Sequence, residues 1–349
     1  MKLFASKTFS VGLAAVLACL PLVSVSDAGI IEWVTVGDPG NAADTAPAGF
    51  GAVAASFRSA KYEFTNQLYT DFLNSVDSSG NNPYSVYNTS MGSNALGGIT
   101  NTGSTNGSRY AVKTDMGDKP VIFVSWFDAA RVSNWYQNGA TPSSSTEDGA
   151  YTLVGGQTTG TAPAVNSGAT FYVPTEDQWY KAAYYKGGGT SAGYWDYATQ
   201  NDSAPTAVTA DSTGIGSAGS TGNFANYAAT ADWNSQDGNV TTVGTNGGPS
   251  FYGAFDMSGN VNEWNDLTGA DGSFRGVRGG RWSGDAFGLS SSYGFSLDPS
   301  AGDDAIGIRL ASPVSGPSGV PEIDPNGLSA VLGLLAGGLG LLERRRYGR

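Results

Sequence analysis

The stretch FYGAFDMSGNVNEWNDL, residues 251–267, gathers oxygen-bearing side chains around a glycine and a tryptophan. These side chains belong to Asp256, Asn260, Asn262, Glu263 and Asp266. Three kinds of site use such residues: a turn in which Asn and Asp cap their own backbone, a site for a hard cation, and a carboxylate pair for acid–base catalysis. Each of the three makes a different demand on the rest of the chain.

The chain has no histidine, and its one cysteine is Cys19. This composition excludes Ser-His triads, Cys-His pairs, zinc sites and His-ligated iron in residues 29–320. Hard oxygen ligands remain, and calcium takes six to eight of them at about 2.3–2.6 Å. A tight turn at Gly259 lets backbone carbonyls converge with two carboxylates. The stretch therefore favours a calcium site, and a turn capped by its own side chains is the alternative.

Composition predicts a single loop-rich domain. The 349 residues are 40% hydrophobic, which is enough for a sizeable core, while 51 glycines and only 14% charged residues indicate long irregular loops. Residues 29–320 carry twelve Lys and Arg against 26 Asp and Glu, a net charge of −14. Such an acidic surface argues against nucleic acid and anionic membranes as partners.

Residues 1–28 are typical of a secretory signal peptide. Lys2 and Lys7 precede an apolar run from Val11 to Val25, and Ser26-Asp27-Ala28 forms a small-x-small cleavage pattern. We therefore expect export and removal of this segment by signal peptidase.

The C-terminus has three parts: a linker at 312–320, the motif VPEID, and an apolar run at 328–342 followed by ERRRYGR. The run is shorter than the roughly 20 residues of an ordinary membrane span. Residues 321–349 resemble the PEP-CTERM signals that bacterial exosortases recognise. The resemblance implies processing near 321–323 and display at the cell surface or in the extracellular matrix. A plain C-terminal membrane anchor with a short transmembrane segment is the alternative.

Between these signals the hydrophobic pattern predicts a first strand in GIIEWVTVG and three helices. The first helix follows Thr65, the second spans about 126–137 behind a Ser125/Asp128 capping box, and the third follows Thr175, which caps reciprocally with Gln178. A strand is expected at 121–124. Residues 77–118, rich in Ser, Gly and Asn, are expected to form a long surface excursion.

Six segments resemble, in family order, the formylglycine-generating enzyme family, also called the sulfatase-modifying factor domain. They are KYEFTNQLYTDFLN, KPVIFVSWFDAARVSNWY, YVPTEDQWYKAA, FYGAFDMSGNVNEW, RGVRGGRW and GIRLA. The resemblance implies an α+β fold, a loop-rich variant of the C-type-lectin fold, which we assign to residues 29–311.

The family's activity is not expected to come with the fold. In its oxidases a pair of cysteines between the RGGRW-like and GIR-like motifs binds copper and oxidises a sulfatase cysteine to formylglycine. Here that interval, residues 283–306, reads SGDAFGLSSSYGFSLDPSAGDDAI and contains no cysteine. A serine hydroxyl neither binds Cu(I) well nor cycles redox.

The resemblance also implies two calcium sites. The first uses side chains and backbone carbonyls at Asp256, Gly259, Val261 and Glu263. The second pairs Asn226 and Tyr227 with Asp237 and Asn239, although its spacing is shorter than in the family, and an ordinary Asx turn is the alternative. The resemblance further implies structural roles, in core packing and buried ion pairs, for Trp264, Trp282, Arg275, Arg278 and Arg309.

These observations together predict an exported, non-catalytic, calcium-stabilised binding or structural module. Its expected partners are an exosortase-type enzyme, signal peptidase, and an extracellular polysaccharide or surface protein. One alternative is a hydrolase of extracellular glycans that uses two of Asp285, Asp298, Asp303 and Asp304. A formylglycine-generating oxidase is disfavoured because the cysteines are absent.

Overall fold

The computed structural model describes residues 30–314 except 47, 48, 106, 190 and 191. The predicted signal peptide and sorting signal therefore lie outside the described residues. The α-helices are α1 (Asn66–Val76), α2 (Ser90–Ser93), α3 (Trp126–Gln137) and α4 (Glu176–Tyr184), with a 3-10 helix at Ala286–Leu289. The strands are β1 (Trp33–Val36), β2 (Phe57–Ala60), β3 (Ile99–Asn101), β4 (Tyr110–Val112), β5 (Thr206–Ala207), β6 (Phe224–Ala225), β7 (Asn262–Asn265), β8 (Arg275–Arg278), β9 (Phe295–Leu297), β10 (Ile306–Gly307) and β11 (Ala311–Pro313).

Two small sheets position the conserved-looking segments of the sequence. One has the order β10-β7-β8-β9, in which β7 runs parallel to β10 and antiparallel to β8. The other has the order β1-β2-β11 and joins the two ends of the described chain. Strand β11 includes residues 312 and 313, the first two of the predicted linker. All four residues of β7 are buried, so this strand lies inside the domain.

The predicted helices are confirmed, together with their N-terminal caps. Ser125 and Asp128 bond reciprocally at the start of α3, and Thr175 and Gln178 do the same at the start of α4. The Thr65 hydroxyl accepts the Leu68 N–H at the start of α1. Each cap satisfies backbone N–H groups that have no partner inside the helix.

Two clusters of buried side chains form the core. The larger surrounds α1 and α3 and contains Phe72, Trp126, Trp135 and Trp264. The smaller surrounds α4 and includes Trp179. Among the described residues, no helix combines the length and apolar character needed to cross a bilayer.

Two expectations about local structure are wrong. Residues 121–124 are buried but form no strand, because the positive φ of Phe123, +63°, interrupts the extended run, and its N–H bonds to the Asp303 carbonyl instead. Residues 77–118 are not a surface excursion. They contain α2, β3 and β4, and they bury Tyr87, Met91 and Ile99 in the larger cluster. Their apolar residues are too widely spaced to show a period, yet each one fills the core.

Candidate functional site

The loop of residues 256–261 turns sharply before β7. Asp256, Gly259 and Asn260 all have positive φ, at +58°, +95° and +62°. A Cβ at Gly259 would lie 2.5 Å from the Asn226 carbonyl oxygen, so only glycine fits against that neighbouring segment. The Asn260 N–H donates to the same carbonyl at 2.8 Å. The two predicted calcium sets are thereby brought side by side.

Glu263, the last member of the first set, is fully buried and fully hydrogen-bonded. Arg309 donates from Nε to Oε2 at 2.8 Å and from Nη2 to Oε1 at 2.7 Å, and Trp179 Nε1 donates to Oε2 at 2.6 Å. Arg309 is itself buried at 1% exposure. A cation at Glu263 would therefore have to compete with a bidentate guanidinium that is already in place.

Asp256, the first member of that set, is partly exposed and is held by loop donors. Its Oδ2 accepts the Gly244 N–H at 2.5 Å, and its Oδ1 accepts Asn246 Nδ2 at 2.9 Å. Burial raises the pKa of the Asp256 carboxyl above its usual range, although these two hydrogen bonds oppose the shift.

Glu63 belongs to this charged group and was missed by sequence reasoning. Its side chain is 1% exposed, and it accepts Asn260 Nδ2 at 2.7 Å and the Val261 N–H at 3.2 Å. Burial raises the pKa of Glu63 well above its usual range, and the negative charges of Asp256 and Glu263 raise it further. The signal was available: a lone acid stands between Tyr62 and Phe64, immediately before a helix cap.

The second predicted set is split between core and surface. Asn226 and Asn239 are fully buried, and Asn226 Nδ2 donates to the Asn239 carbonyl at 2.9 Å. Asp237 is exposed, and the Tyr227 hydroxyl donates to the Pro205 carbonyl at 2.7 Å. The buried Oδ1 of Asn226 accepts no hydrogen bond.

An unpaired buried acceptor is costly unless something occupies it, and a hard cation suits an amide oxygen. Asn226 therefore fits a calcium ligand better than Glu263 does. Nowhere in the described part of the chain do three or more His, Cys, Asp or Glu side chains gather as a metal-binding group. Any calcium held at Asn226 would thus draw mainly on backbone carbonyls and amide oxygens.

The interval that carries the family's cysteines is here a packed structural segment. Asp285 caps the 3-10 helix, and the Leu289 carbonyl accepts hydrogen bonds from the Tyr184 and Ser258 hydroxyls. Arg278 Nη1 donates to the carbonyls of Ser291 and Tyr293 at 3.0 and 2.8 Å.

The other contacts of Arg278 are also structural. It forms an ion pair with Glu176, and its guanidinium lies 4.8 Å from the ring centre of Phe50 and 4.9 Å from that of Tyr180. The expected structural roles are confirmed at three arginines, since Arg309 pairs with Glu263 and Arg275 pairs with Asp266 at 2.9 Å. Glu176 was expected only to complement the dipole of α4.

The four candidate acids of a hydrolase do not form a buried pair. Asp285, Asp298 and Asp303 are exposed, and each accepts a backbone N–H two or three residues later in the chain. Asp304 is partly buried, and burial and the adjacent Asp303 raise its pKa. These acids act as local turn caps, and none of them lines the 220 Å³ pocket described below.

Comparison with known proteins agrees with this geometry. A family model described as the sulfatase-modifying factor enzyme 1-like domain matches residues 33–314. None of the curated proteins compared matches the chain.

Three solved structures are similar. Treponema denticola variable protein 1 is 19% identical with a TM-score of 0.46, and the match covers 80% of this chain and 94% of that one. The crystal structure of CarF gives 19% identity and a TM-score of 0.46, covering 82% and 99%. PvdO from Pseudomonas aeruginosa gives 18% and 0.39, covering 81% and 92%. The family match, with the few helices, small sheets and long loops, confirms the predicted loop-rich α+β fold of the formylglycine-generating enzyme type.

Proposed function

Because the chain belongs to the sulfatase-modifying factor enzyme 1-like family over residues 33–314, we propose that it has kept the family's scaffold without its redox chemistry. The observation that carries the proposal is the interval 283–306, which has no cysteine and is held by Arg278, Tyr184 and Ser258 through its own backbone. A thiol pair is the feature that copper-dependent oxidation needs, and serine does not replace it. The chain is then a non-catalytic binding or structural module.

We propose calcium as a structural ion of this module. The residues that would hold it are the second set, through the unpaired Oδ1 of Asn226 and neighbouring carbonyls at Tyr227 and Asn239. When bound, calcium would link segments of the loop-rich half through shared oxygen ligands. For the first set, Asp256 to Glu263, calcium stays a prediction that must overcome the Arg309 ion pair.

The two terminal segments support display outside the cell. Signal peptidase would remove residues 1–28, and an exosortase-type enzyme would act on the VPEID signal. The ligand would be an extracellular polysaccharide or a surface protein. The polysaccharide is favoured because a polar, acidic surface with scattered exposed aromatic rings suits hydroxyl-rich ligands.

A glycan array probed with the purified chain, in calcium and in EDTA, tests the proposal. We expect calcium-dependent binding to a subset of polysaccharides. An array with no binding in either condition, together with turnover of any glycan, would contradict a binding role.

A further inference from the structure

A small surface pocket, here called the Asp256 pocket, opens beside the partly exposed carboxylate of Asp256. Its walls include Thr199, Phe224, Asn246 and Ser250, and its empty volume is about 220 Å³. Pockets for drug-sized ligands are about 300–1,000 Å³. The Asp256 pocket is therefore large enough for one small polar group and the part of a ring that carries it.

The pocket offers hydrogen-bond acceptors. Each carboxylate oxygen has about two lone-pair sites, and each oxygen of Asp256 receives one donor, from Asn246 or Gly244. The N–H groups of Gly247 and Gly248 in the pocket wall are already bonded to the carbonyls of residues 219 and 222. A ligand must therefore bring donors, and a cationic donor gains most from the carboxylate.

An aromatic ring stands at the same pocket. The Phe224 side chain is 37% exposed, and a Cβ at Gly247 would lie 2.4 Å from the Phe224 carbonyl oxygen. Glycine at this position, where φ is +120°, lets the loop pass against Phe224. A cation placed over an aromatic face is attracted by the ring, and the net charge of −14 over residues 29–320 draws cations toward the surface.

We infer that the Asp256 pocket binds the ammonium group of an amine-bearing sugar unit, with the carboxylate of Asp256 as counter-ion and the Phe224 ring against the sugar. This inference rests on the proposed function and names the class of polysaccharide that the module takes. The Thr199 and Ser250 hydroxyls and the glycine backbone form a polar wall, which suits a hydroxylated ring better than the alkyl chain of a lysine. The aspartate is specific to this chain, since the family motif has asparagine at that position.

Ligand-observed NMR titration of the purified full chain tests the inference with glucosamine, glucose, N-acetylglucosamine and lysine amide. Glucosamine is expected to bind roughly tenfold more tightly than the two uncharged sugars, and its affinity should fall as salt rises. Phe224→Leu should weaken glucosamine binding roughly twofold to fivefold, as expected for a cation–π contact at an exposed site. Asp256→Asn should weaken it roughly tenfold.

Phe274→Leu is the matched control, because Phe274 is 57% exposed and does not line the pocket. It should leave glucosamine affinity unchanged. If Asp256→Asn fails to fold, the pair of phenylalanine variants still decides the question.

Equal affinity for glucose and glucosamine, tighter binding of lysine amide, no detectable glucosamine binding, or equal effects of the two Phe→Leu variants would overturn the inference. Calcium-dependent binding of neutral polysaccharides on the array would survive any of these results. Failure of the amine site is therefore distinguishable from failure of the proposed function.

Discussion

Replacing Glu263 by glutamine tests whether Arg309 or calcium is the partner of this buried carboxylate. The substitution keeps the size of the side chain but leaves the Arg309 guanidinium, 1% exposed, without its counter-charge. Removing one partner of a buried ion pair costs roughly 3–5 kcal/mol. For a domain of this size the melting temperature should fall by roughly 6–15 °C.

The assay is thermal unfolding followed by circular dichroism, in calcium and again in EDTA. Because Arg309 is the partner lost, the fall should be the same in both solutions. Glu32→Gln is the control, since its ion pair with Lys61 is largely exposed and contributes about 0–1 kcal/mol. A fall no larger than that of Glu32→Gln, or a fall confined to the calcium solution, would refute the reasoning.

Three further predictions follow from the described contacts. Calcium should raise the melting temperature of the chain by mass action, and Asn226→Ala should remove the calcium-dependent part; a calcium shift that survives in Asn226→Ala would contradict the assignment. Gly259→Ala should destabilise by roughly 2 kcal/mol or more in urea unfolding, because its Cβ would lie 2.5 Å from the Asn226 carbonyl at a φ of +95°; a change below about 0.5 kcal/mol would contradict it. Burial raises the pKa of Asp128 to about 6, above the unfolded value near 3.9, so its stabilising contribution is complete below about pH 4 and is lost as pH rises through 6. Asp128→Asn should flatten the stability profile across that window, and an unchanged slope would contradict it.

Local signals in the sequence predicted the helices well. The caps at Ser125 and Thr175 are decided within four residues, so their chemistry is readable from the chain alone. The order of six motifs predicted the fold, and the absence of cysteine and histidine narrowed the chemistry without any structure.

Long-range partners could not be read in the same way. Glu63 meets Asn260 across 197 positions of sequence, and Glu176 meets Arg278 across 102. Nothing near either acid specifies those contacts, because they arise only when the loops pack. The segment 77–118 misled for a related reason, since widely spaced apolar residues such as Met91 show no period and are buried by tertiary contacts.

The measurement that tests the central claim most directly is copper-dependent oxidation of a cysteine peptide by the purified chain, followed by mass spectrometry. A family enzyme that carries both cysteines serves as the positive control. The account predicts that the peptide mass stays unchanged with this chain under conditions in which the control converts cysteine to formylglycine. Conversion of the peptide by a chain without cysteine in residues 283–306 would contradict it.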